Sequence, residues 1–121
     1  TLFRSNPVVV SVSNSLTKTG NGTLRLSGSN TYPGGTTING GTLLANNVGG
    51  SATGSGSVAV NGSGTLGGTG SVSGPVTLAA NAFVAPGLNN AADLATGNLV
   101  LQSGANFSVN INGATADSQY D

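Results

Sequence analysis

Aliphatic residues recur along this chain in short alternating runs, each closed by glycine, asparagine or proline. Residues 22–45, GTLRLSGSNTYPGGTTINGGTLLA, state the pattern most fully. Leu24 and Leu26 fall on one side of a strand, with Thr23, Arg25 and Ser27 on the other. A polar corner over residues 29–35 follows, then a second stretch with Ile38, Leu43 and Ala45 inward and Asn39-Gly40-Gly41 as a turn. The same grammar recurs on both sides. Val8, Val10 and Val12 predict a strand after Pro7, residues 14–21 a polar bend carrying Lys18, and residues 46–55 a longer loop. Further strands are predicted at Val58 and Val60, at Leu66, Val72, Val76 and Leu78, and at residues 83–85. Residues 88–96 form an Asn/Ala loop, and the last two strands carry Leu99 with Leu101, then Phe107, Val109 and Ile111.

Apolar positions repeat about every 18 to 22 residues, the interval of strand-built solenoids. Leu24 to Leu43, Ile38 to Val58, Val58 to Val76, Leu66 to Val84 and Leu78 to Leu99 all fit it. Each coil of such a fold lays short strands over those of the coil below, roughly 4.8 Å apart. Glycine belongs at its corners, where the backbone needs positive φ or close approach. The expected architecture is all-β, a β-solenoid of about five to six coils. A β-sandwich would show longer strands and a large aromatic core marker, both lacking here.

Composition narrows the class. The chain has 121 residues and 21 glycines, with no Cys, His, Met or Trp. Its six charges, Arg4, Lys18, Arg25, Asp93, Asp117 and Asp121, cancel. Solubility rests on Ser, Thr and Asn, which suit corners and strands and disfavour helix interiors. Evenly spaced Val, Leu and Ile separate the chain from disordered sequences of similar polarity. Nucleic acid and acidic membranes both need clustered Lys and Arg, so neither is an expected partner. No apolar run is long enough for a membrane helix. Residues 1–5, TLFRS, hold Phe3 and Arg4 in a chain nearly devoid of both types and read as a non-native leader, with an ordinary partial strand as the alternative. Residues 6–121 then form one repeat segment, truncated at both ends.

Residues 22–45 closely resemble the passenger-associated transport repeat, also called the autotransporter-associated β-strand repeat. The resemblance rests on the opening Gly22-Thr23-Leu24, on the central run Asn30, Thr31, Tyr32, Gly34, Gly35, Thr36, Thr37, Ile38, and on the ending Gly41, Thr42, Leu43. Residues 54–87 and the run from Gly97 look similar to the same kind of passenger. Pro33 and Phe83-Val84 depart from the usual pattern. The resemblance implies a right-handed parallel β-helix in the exported passenger of a bacterial surface protein, whose repeat aids translocation and folding and has no catalytic centre. It also implies a C-terminal translocator barrel elsewhere in the parent protein, and a place at the cell surface or outside the cell.

No residue announces a reaction. A nucleophilic triad needs a base, and the chain has neither His nor Glu. Asp93 and Asp117 read as solvated loop residues rather than metal ligands, and the Gly/Asp nonapeptide of calcium β-rolls is missing. No cofactor is called for. Gly62-Ser63-Gly64-Thr65-Leu66-Gly67 matches GxGxxG in form, yet Gly68-Thr69-Gly70 cannot open the helix that a dinucleotide needs. Asn21-Gly22-Thr23, Asn61-Gly62-Ser63 and Asn106-Phe107-Ser108 fit the glycosylation acceptor pattern and read as polar corners. A Thr-x-Thr ladder for ice occurs only at Thr17-Lys18-Thr19. Tyr32 reads as a ring packed on its corner, with sugar stacking as the alternative. The expected function is therefore a non-catalytic stalk that displays other regions. The alternative is an adhesin surface for glycans or neighbouring cells, and a pectin-lyase type of enzyme is disfavoured by the missing acids and bases.

Overall fold

The computed structural model describes residues 15–87 and 92–109. The strand predicted at Val8 to Val12, the 1–5 leader, Ile111 and Asp117 lie outside them. Among the described residues there is no helix. The strands are β1 (Leu16–Lys18), β2 (Thr23–Leu26), β3 (Thr36–Ile38), β4 (Thr42–Ala45), β5 (Val58–Val60), β6 (Thr65–Gly68), β7 (Ser71–Val72), β8 (Val76–Leu78), β9 (Phe83–Pro86), β10 (Ala95–Thr96), β11 (Leu99–Leu101) and β12 (Asn106–Phe107). They form two five-stranded sheets, β1-β3-β5-β8-β11 and β2-β4-β6-β9-β12, and a two-stranded third side, β7-β10. Every pairing is parallel. Parallel neighbours that recur once per turn define a solenoid, here called the first sheet, the second sheet and the third side.

Register fixes the turns. Leu16 pairs with Thr36, Thr36 with Val58, Val58 with Val76 and Val76 with Leu99, giving turns of 20, 22, 18 and 23 residues. The described residues thus complete four turns and begin a fifth, fewer than the expected five to six coils. Three of the four turns fall inside the expected interval and the fourth exceeds it by one residue, so the lower number reflects the extent of the described residues. The pairs Leu24–Leu43, Val58–Val76 and Leu66–Val84 stack as expected. Two others are displaced by two residues: Ile38 lies on Val60 and Leu78 on Leu101. A two-residue slip keeps the same face of a strand, so apolar spacing alone could not detect it.

Inward positions form columns along the stack. Leu43, Leu66 and Val84 fill one of them and are essentially inaccessible, as are Ile38, Val60 and Leu78 in the first sheet. The third side adds Asn30, Ala52 and Val72 to the interior. Residues 46–55, expected as a loop, supply part of this wall: Ser51, Ala52, Thr53 and Gly54 are all buried. Residues 14–21 are likewise more than a polar bend. Leu16 is 2% exposed and Lys18 8%, both inward on β1. A lysine on the inner face hid the alternation.

The columns lose their cover at the last rung. Leu99 continues the Val76 column yet is 38% exposed, and Leu101 and Phe107 are more exposed still. Leu99 is therefore not the buried core residue that the alternation suggests, because no described strand lies beyond β11.

Corners are uneven in length. The corner from first sheet to second has four, three, four, four and four residues, whereas the return through the third side takes nine, twelve, seven and twelve. The short corner carries a positive-φ residue in every turn: Gly20, Gly41, Gly62, Asn81 and Gly104. Asn81 is the non-glycine member, and asparagine tolerates this conformation better than other side chains. At the opposite corner glycine stands two residues before each strand of the first sheet from β3 on, at Gly34, Gly56, Gly74 and Gly97. A Cβ on Gly74 would collide with the carbonyl of Gly56, and one on Gly56 with the carbonyl of Gly34. Backbone rests on backbone there.

Two stability measurements check this arrangement. Leu66→Ala should cost about 2 to 5 kcal/mol in denaturant unfolding, and Leu99→Ala clearly less. Equal losses would contradict the loss of cover at the last rung. Gly74→Ala should cost at least about 1 kcal/mol, the scale of forced overpacking. Gly22→Ala, where a Cβ meets nothing within 4 Å, should change stability by no more than about 1 kcal/mol in either direction.

Candidate functional site

The residues with the most specific sequence pattern, 30–43, lie along one turn from the third side into β4. Tyr32 is 1% exposed, and its hydroxyl lies 2.6 Å from the Oγ1 of Thr36, which occupies an inward position on β3. Burial pushes the Tyr32 phenol above its ordinary value, and the Thr36 hydrogen bond offsets part of that rise. Asn30 donates from Nδ2 to the Ala52 carbonyl at 2.7 Å, tying one turn to the next, while its Oδ1 and the Thr53 Oγ1 have no hydrogen-bond partner. Thr31 is exposed. Gly34 begins the stacked glycine column and Gly35 lies under Ser57. Ile38 and Leu43 are inaccessible core residues, whereas Thr37 and Thr42 point outward and are half-buried. Gly41 takes positive φ at the short corner.

These residues meet through the backbone and the core. They do not converge on a cleft. Tyr32, weighed as a sugar-stacking aromatic, offers no face to a ligand. Its ring closes the third side instead.

Sequence reading missed two groups. The Gly34-Gly56-Gly74-Gly97 column was detectable, because its spacings equal those of the strands it precedes. The second is Lys18, whose Nζ donates to the carbonyls of Thr19 at 2.8 Å, Gly20 at 3.3 Å and Gly40 at 3.3 Å. No signal in the local sequence marks it, since its Gly40 acceptor is brought in only by stacking.

Two surfaces among the described residues are candidates for binding. A cavity of about 340 Å³ opens at the uncovered end of the stack, lined by Val84, Pro86, Leu94, Leu99 and Phe107 with Asp93 and Thr96 at its polar part. Asp93 is the one acidic or basic side chain in that lining. Among the described residues no three His, Cys, Asp or Glu side chains come together. The other surface is the outer row of the second sheet, where Thr23, Thr42, Thr65, Phe83 and Asn106 stack in register. Phe83 is 38% exposed in that row. It is a neutral, hydroxyl-bearing strip with one aromatic.

The Tyr32–Thr36 pair gives a direct test. Tyr32→Phe leaves the buried Thr36 hydroxyl without its partner and should cost about 1 to 3 kcal/mol. A phenol with a raised pKa holds its proton in the folded state at pH values where the unfolded chain has lost it. Its contribution is therefore complete below pH 10.0, the ordinary tyrosine value, and declines as pH rises through the higher folded value. Melting temperature should be flat across neutral pH and fall above that point, and Tyr32→Phe should flatten the fall.

No curated protein and no solved structure matches the chain. A family model does match: residues 16–45 fit the passenger-associated-transport-repeat. The match starts at 16 rather than at 22, and its limits coincide with the first residue of β1 and the last of β4. One match to the family model thus corresponds to two stacked rungs, and the span from β1 to β4 is similar to a passenger-associated transport repeat.

Proposed function

We propose that this chain is a non-catalytic stalk segment in the passenger of an exported bacterial surface protein. It aids passenger translocation and folding and holds other regions of the parent away from the cell. The translocator barrel of that parent is its partner during export. One observation carries the reading: the side chains of the family motif are spent on the interior and the corners. Asn30, Tyr32, Thr36, Ile38 and Leu43 are buried, and Gly34 and Gly41 shape the backbone. A parallel stack of this kind grows by repetition and needs no ligand to complete its core. The repeat family and the solenoid fold both fit an autotransporter passenger.

A second reading, adhesion to glycans, is favoured by the Thr23-Thr42-Thr65-Phe83-Asn106 strip. Hydroxyls and one exposed ring suit a neutral polysaccharide lying along the stack, since an aromatic face packs against sugar C–H groups. Tyr32 has no part in it.

One experiment addresses both. The chain is placed between an N-terminal epitope and an autotransporter barrel in a bacterial host, and surface epitope is counted by flow cytometry. Under the stalk reading the native chain should display the epitope efficiently, and Leu43→Asp, which places a charge in the core, should reduce display several-fold. Equal display of the two would sink the export role. The purified native chain and Phe83→Ala are then applied to a glycan array. Binding lost on the Phe83 substitution would establish the adhesin reading, and blank arrays for both would remove it.

A further inference from the structure

The one buried cation among the described residues, Lys18, does not serve the stalk in any way its sequence suggests. Its register places it inward, below Ile38 in a column that continues with Val60, Leu78 and Leu101. The stem belongs to that apolar column, and the ammonium turns toward the short corner. There it donates to three carbonyls, Thr19 and Gly20 of its own turn and Gly40 of the next. An ammonium has three protons, so its donor capacity equals the number of acceptors. Asp93 is the one carboxylate among the described residues, and it lines the cavity at the other end of the stack. Among the described residues, the groups that meet the ammonium are peptide carbonyl dipoles.

Corner geometry explains why the carbonyls converge. Gly20 and Gly41 both take positive φ, and beside them the Thr19, Gly20 and Gly40 oxygens face one space. That space has no room for another side chain. A Cβ on Gly41 would lie 2.6 Å from the Lys18 Nζ and 2.6 Å from the Gly20 oxygen. Converging carbonyls in a glycine-lined corner are the ligand set of a monovalent cation site. At the equivalent places of later turns the inward residue is Ile38, Val60, Leu78 or Leu101, and no cation is supplied.

We propose that the corner of Thr19, Gly20 and Gly40 is a backbone-carbonyl cation site for a primary ammonium, which the chain fills with its own Lys18. The tethered cation clamps the first described turn to the second, holding rung β1–β2 on rung β3–β4. Removing the side chain beyond Cβ takes away three carbons and the ammonium, the heavy-atom count of n-propylammonium.

The test is chemical rescue of the full chain. Lys18→Ala should melt below the native protein, and n-propylammonium chloride should raise its melting temperature along a saturating curve, as a ligand bound only by the folded state does. Tetramethylammonium chloride at the same ionic strength, which has no N–H donor, should not, and the native chain should not distinguish the two salts. Indistinguishable effects of the two salts on Lys18→Ala would overturn the site, as would a variant that melts with the native protein. Should Lys18→Ala not fold, the native chain still decides the matter. Lys18 is its sole lysine, so acylation at the side-chain amine can be followed by mass spectrometry against the N-terminal amine. A sequestered ammonium should acylate on the order of tenfold or more slowly in the folded chain than in urea, the ratio expected when reaction waits on local opening. Equal rates would overturn the proposal.

Discussion

Everything in this molecule depends on superposition. Each turn must bring the same backbone path over the one below at the strand spacing, or the parallel hydrogen bonds of both sheets fail together. Superposition is strictest at the corners, where no ladder averages out small errors. That is why the short corner repeats one left-handed residue per turn and the opposite corner repeats a glycine against a glycine carbonyl. The core columns follow from this. Once the corners coincide, Leu43, Leu66 and Val84 have no other place to be.

Polar side chains in the interior are made tolerable by the same stacking. Lys18 finds its acceptors in two successive turns. Asn30 reaches the turn above, and Asn47 donates to Gly49, Gly50 and Ser71 while accepting from the Ser71 backbone. Tyr32 and Thr36 satisfy each other. Such bonds are worth little individually, but leaving any of these groups without a partner would be expensive. The exceptions are Asn30 Oδ1 and Thr53 Oγ1 on the third side.

Much of this was legible in the sequence. Alternation located β2 to β5 and β9 to within a residue or so, and the repeat interval identified a solenoid rather than a sandwich. The corner also predicts Tyr32 as a packed ring, and its side chain is buried. What resisted reading has a physical cause in each case. Lys18 on an inward position broke the apolar period, so β1 passed for a bend. The wall at Ser51 to Gly54 is made of small polar residues, which carry no hydrophobic signal even when fully buried. Leu99 has the pattern of a core leucine, but burial depends on a neighbour above it, which alternation within one strand cannot report. The candidate binding strip through Phe83 was invisible because its members are some twenty residues apart and meet only through register.

The unequal corners divide the labour of the coil. With the short corner held at three or four residues, all but one residue of the variation in turn length falls on the return, which ranges from seven to twelve. That return can lengthen without altering the pitch of the two main sheets, as the loop at Asn46 to Gly50 does, holding Val48 fully clear of the surface on an asparagine-braced frame. A fold built this way separates what must be copied from what is free to diverge. The short corner acts as its metronome, and the return is where new surface can be grafted without retuning the stack.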